Sequence, residues 1–131
     1  MRARILLAQA VLLAFSAGCA GAPAHGGDRI DGAFRAIQRS EARIEAAGRE
    51  VDRVSASTPP DAGACVERCT ALTEAIDDAR AGSAGVCETA ATLDDHDART
   101  RCERGRSRSA AIEQRASELR ARCGCGPSGA S

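Results

Sequence analysis

Seven of the 131 residues are cysteines, and their spacing allows three kinds of chemistry: acylation of a lone thiol, oxidation of paired thiols, and binding of a soft metal by clustered thiolates. Cys19 stands alone. Cys65 and Cys69 are four residues apart, Cys87 and Cys102 lie on either side of an acidic segment, and Cys123 and Cys125 are separated by one residue. Thiolates select soft ions such as copper(I) and also hold zinc. Cys65 and Cys69 would share one helix face. In an oxidising compartment the same spacing serves disulfides, and six cysteines in a short exported chain are first read as three bridges. No Cys-x-x-Cys is present to suggest redox catalysis.

Cys19 follows Phe15-Ser16-Ala17-Gly18 and an apolar run from Ile5 to Phe15, which Arg2 and Arg4 precede. A basic start, an apolar middle and a small-residue exit make a leader. The apolar stretch is about half the ~20 residues a spanning helix needs. The arrangement looks like a bacterial lipoprotein signal over residues 1–18, with lipid on Cys19 and attachment to a membrane. It departs from the usual lipobox in carrying Ser16 where Leu is common. Ordinary cleavage at Ala22-Pro23-Ala24 is the alternative and would discard Cys19. Ala20 after the lipid cysteine, rather than Asp, favours the outer membrane over the inner.

The chain without its leader has 113 residues, enough for one small domain, with 16 Arg facing 18 acids. That balance gives nucleic acid no reason to bind. Phe34 is then the one aromatic residue, so the core must come from Ala, Ile, Leu, Val and Cys. Such a core buries little area per residue, and covalent staples are expected.

Residues 19–27 read as a tether, 28–125 as an all-α domain, and 126–131 as a disordered tail. In a first helix over about 28–56, Ile30, Ile37, Ile44 and Val51 recur every seven residues. Ala33, Ser40, Ala47 and Val54 form the matching row. Thr58-Pro59 signals the start of a second helix over about 59–93. Its seam runs Ala62, Cys65, Cys69, Leu72, Ile76, Ala79, Ser83, Val86, Ala90, Leu93. The periodicity predicts one helix, and Gly82 and Gly85 mark where it would kink if it broke. Asp94-Asp95-His96-Asp97 is a turn suited to a helix N-terminus. A third helix over about 97–123 follows, with Ala98, Cys102, Gly105, Ser109, Ile112, Ala116, Leu119 and Cys123 on one side.

A short turn makes the second and third helices antiparallel neighbours. Facing residues then have numbers with a constant total, and 188 matches the seams from Ala90 with Ala98 to Cys65 with Cys123. This register brings Cys87 to Cys102. It also sets the glycines opposite Gly105, for close approach or as a notch for the first helix. At the open end two pairings compete. The nested one, Cys69 with Cys123 and Cys65 with Cys125, is favoured. The other joins Cys65 to Cys123 and Cys69 to Cys125, and offsets the last pair by ~8 Å along the axis at ~1.5 Å per residue.

The fold expected is therefore a disulfide-stapled antiparallel hairpin plus one N-terminal helix, a three-helix coiled-coil-like bundle or a hairpin whose extra helix mediates association. The cysteine pattern over residues 62–125, together with the leader, resembles uncharacterised Cys-patterned lipoproteins of myxobacteria and related deltaproteobacteria. That resemblance implies no function. No catalytic or cofactor motif is present. His25 and His96 read as surface residues. Arg99, Arg101, Arg104, Arg106 and Arg108 read as a solvated face with local ion pairs, or more sharply as a contact for anionic lipid or cell-wall polymer. The function expected is a structural or interaction role in the cell envelope, with an envelope protein as partner. The alternative is thiol-based copper or zinc binding there.

Overall fold

A computed structural model of the chain describes residues 25–57 and 62–126. Three helices account for nearly all of them: α1 (His25–Ala56), α2 (Ala62–Ala90) and α3 (His96–Arg122). They pack as an antiparallel up-down-up bundle, and no strand occurs among the described residues. The Thr58-Pro59 start signal lies outside the described residues, as do the leader with Cys19 and the tail from residue 127.

The three seams meet in one core. Ile37, Ile44, Val51, Leu72 and Val86 are its largest fully buried side chains. Ala47, Val54, Ala79, Ala90, Ala98, Ile112 and Ala116 close the layers between them. Ala75 on α2 is also buried, which widens that helix's apolar side beyond its seam. A helix with two neighbours needs the wider stripe. Ile30 departs from the expected stripe and is 51% exposed. Ser40 lies beside Gly85, so antiparallel α1 and α2 bring Ile30 beyond the end of α2. Residues 27–31 of α1 lie past the end of the hairpin and are exposed.

α2 is continuous through Gly82 and Gly85, because α1 occupies the notch they leave. A Cβ at Gly82 would stand 2.7 Å from Ile44 Cγ1 and 2.8 Å from the Ser40 carbonyl oxygen. One at Gly85 would stand 2.7 Å from Ser40 Oγ. The two glycines thus serve the α1 contact more than the α3 contact. Gly105 is buried beside Val86 and Ile44 with ordinary spacing, 3.5 Å or more.

α2 stops at Ala90 through a tightened last turn. The Thr92 and Leu93 N–H groups donate to the Thr89 and Ala90 carbonyls at 3.0 and 3.1 Å. Leu93, expected at the end of the seam, lies in the turn and still packs against the core. Asp95 then caps α3: its backbone is extended and Oδ1 accepts the Ala98 N–H at 2.8 Å. Leaving that N–H without the cap would cost about 1 kcal/mol.

Candidate functional site

The cysteines lie at the two ends of the α2–α3 hairpin. Near the turn, Cys87 and Cys102 are joined, with Cα atoms 4.6 Å apart. At the open end Cys69 is joined to Cys125, Cα to Cα 5.7 Å. This corrects the nested pairing, since neither Cys69–Cys123 nor Cys65–Cys125 forms. The reason is the way α3 ends. Gly124 takes φ of +65°, a conformation with little penalty only for glycine. The Cys125 N–H donates to the Arg120 carbonyl at 3.0 Å and the Gly124 N–H to Ala121 at 3.1 Å. These are the paired bonds of a Schellman cap. The chain folds back over its last turn, and the axial offset that argued against Cys69–Cys125 is removed. Cys65 and Cys123 lie outside the two bridges, both half-buried, at the same end. With Cys69 and Cys125 oxidised, no three His, Cys, Asp or Glu side chains among the described residues are grouped to hold a metal ion.

The arginines of α3 are organised by α1. Arg101 donates to Glu41 at 3.0 Å and to Asp97 at 2.8 Å, and its guanidinium lies 5.9 Å from the Phe34 ring centre. Arg108 meets Glu45 at 3.4 Å and Arg115 meets Asp52 at 2.7 Å. The arginines recur every seven residues on α3, and Glu45 and Asp52 keep that step on α1, so their pairs repeat every two turns, while Glu41 stands one turn before Glu45. Arg101 and Glu41 are each about one-quarter exposed, the most enclosed pair in the series. The hydrogen bond to Asp97, with Glu41 adding its charge, holds Arg101 above the ordinary arginine value. Arg99 pairs locally with Asp94 at 3.2 Å. The Arg99–Arg108 cluster is thus part local ion pairs and part a bridge to another helix. The one sequence signal pointing toward the bridge is the seven-residue recurrence of Arg101, Arg108, Arg115 and Arg122 against Glu45 and Asp52. Neither α1 nor α3 alone shows that these rows face each other.

Beneath this ladder α1 and α3 leave an open groove of about 380 Å³. Its floor is Ile44, Gly48, Ala111 and Ile112, and Arg49 stands on its α1 bank. A smaller hollow continues it past Val51 and Leu119 to Arg122. Gly82 and Gly85 seat α1 on α2, and Arg43 bridges to Asp78 at 2.7 Å. The disulfides join α2 to α3, and Arg80 meets Glu113 at 2.7 Å. That hydrogen bond and the Glu113 charge raise the Arg80 pKa.

The geometry defines a small all-α bundle whose α2–α3 hairpin is covalently stapled and whose α1 is held by packing and ion pairs. No family model matches the chain, and no curated protein or solved structure shows significant similarity to it. No described helix is long and apolar enough to cross a membrane.

Proposed function

We propose that the chain is a bacterial cell-envelope protein, anchored by lipid on Cys19 in the outer membrane, with a structural or interaction role. The observation that carries this reading is Cys19 itself, behind Ser16-Ala17-Gly18 and an apolar leader too short to span. Two cysteine pairs at bonding geometry support it, because disulfides persist in oxidising compartments such as the periplasm. So does the bundle's polarity. α1 begins at His25, six residues after Cys19, and the turn between α2 and α3 lies at that same end. The anchor would hold this end near lipid. The Cys69–Cys125 bridge would stand about 30 Å away, the rise from Ala90 back to Cys69 at ~1.5 Å per residue.

Cys19→Ser tests the reading. The variant should lose incorporation of labelled fatty acid and leave the membrane fraction, while the wild type keeps both. Unchanged membrane partitioning of the variant would overturn the anchor.

A further inference from the structure

We infer that the bundle stacks on copies of itself, with the outer face of α2 seated in the α1–α3 groove of the next molecule. In a three-helix bundle the groove between two helices faces directly away from the third. The two surfaces are therefore on opposite sides of one molecule, and their charges are opposite. The outer face of α2 carries Glu67, Glu74, Asp77 and Glu88, all exposed and in no ion pair among the described residues, with the Asp77 charge acting also on Arg80 of its own helix. Glu67, Glu74 and Glu88 are spaced in multiples of seven, which keeps them in one strip. Arg49, Arg104 and Arg122 lie along the groove side, also exposed and in no such ion pair. Of the groove's acids, Glu45 and Asp52 are matched by Arg108 and Arg115, and Glu118, in the smaller hollow, accepts a hydrogen bond from Gln114.

The heights agree as well. Cys87 and Cys102 are joined, so α2 and α3 residues whose numbers total 189, as those two do, are level. Glu45 with Arg108 and Asp52 with Arg115 set the level of α1 against α3. On that scale Arg122 is level with Glu67, Arg49 with Asp77, and Arg104 stands within one helical turn of Glu88. Two copies pointing the same way thus match charge to charge with no axial shift. Small residues allow the approach. Ala81 is exposed on α2 within one helical turn of the level where Gly48 and Ala111 floor the groove, and Ala84 follows about one turn further along. Val66, 69% exposed, stands beside the strip near the Arg122 level. Because each copy offers one face and receives on the other, the contact does not close at a dimer but extends into a row. It stands on the bundle alone, whether or not Cys19 carries lipid. An anchor would favour it by confining copies to one plane and one orientation.

Sedimentation of the full chain in detergent, over a range of concentrations, tests the proposal. At about 20 mM salt the wild type should grow in mass beyond a dimer, and at about 0.5 M salt its association constant should fall about tenfold or more. The variant Glu67→Arg/Glu74→Arg/Glu88→Arg and the variant Arg49→Glu/Arg104→Glu/Arg122→Glu should each remain monomeric. All six positions are on the surface, and circular dichroism should show native helicity in both. An equimolar mixture should regain association, because each variant's altered face fits the other's. A wild type that stays monomeric up to millimolar concentration at low salt overturns the proposal. So does association that survives both reversals, as leader-driven clustering would, or a mixture that stays monomeric.

Discussion

α1 touches its two neighbours in opposite ways. Against α2 it comes close enough that backbone meets side chain, and glycine is the residue that permits this at position 82. Against α3 it stands off, and long charged side chains span a groove with a short apolar floor. The close contact gains from dispersion and from excluded water. The open one relies on exposed ion pairs, each worth little in water. Neither contact is covalent, since both bridges join α2 to α3. The stability of α1 in the bundle should therefore follow the close contact and be nearly indifferent to the open one.

The sharpest break in this comparison is Ile44→Ala. Ile44 is buried between Gly82 and Gly105, so it belongs to both contacts. Its truncation should cost about 3–4 kcal/mol. Hydrogen exchange should show α1 losing protection first, while the stapled hairpin keeps more of its own. Equal loss in all three helices would mean that α1 and the hairpin unfold as one unit.

Opening the hairpin is the next effect in size. Cys69→Ser with Cys125→Ser removes a bridge across 56 residues and should cost about 2–4 kcal/mol in chemical denaturation. A non-reduced digest of the wild type should first show the Cys69 and Cys125 peptides linked, and Cys87 linked to Cys102. Recovery of a Cys69–Cys123 peptide would contradict the way α3 ends.

One substitution made in both contacts gives the cleanest contrast. Gly82→Ala places a Cβ against the Ser40 carbonyl, so the helices must part. The cost should be about 1–2 kcal/mol after the gain in helix propensity. Gly48→Ala places its Cβ 3.5 Å from Ile112 Cδ1, an ordinary contact. It should stabilise by about 0.5–1 kcal/mol, because the propensity gain meets no clash. Melting temperatures should move in opposite directions, by a few degrees each.

The smallest effect belongs to the ladder. Glu45→Gln or Asp52→Asn should each cost under about 0.5 kcal/mol, and the difference should vanish in about 0.5 M salt. A larger, salt-insensitive loss would show that these pairs do more than bridge the groove.

Much of this architecture was legible before folding. Local periodicity placed all three helices, since burying one side of a helix repeats every three or four residues whatever lies opposite. Two seams sharing one register placed Cys87 beside Cys102, because a short turn leaves antiparallel helices little room to slide. The continuous seam through Gly82 and Gly85 ran against their poor helix propensity. The seam prevailed because α1 fills the space that missing side chains leave.

What tertiary structure decided lies where the pattern ends or where distant segments meet. The partner of Cys69 depended on the left-handed turn at Gly124, which reverses the chain by a whole helical turn; counting along an ideal helix cannot include such a reversal. Ile30 carries the right residue for the stripe, yet the hairpin ends before reaching it, and the reach of a neighbour is not written in the helix that needs it. The arginine row of α3 acquired its meaning only when α1 lay parallel beside it. Periodicity is a property of one helix and can be read from its own residues; facing, levels and grooves are properties of pairs, fixed when the chain closes.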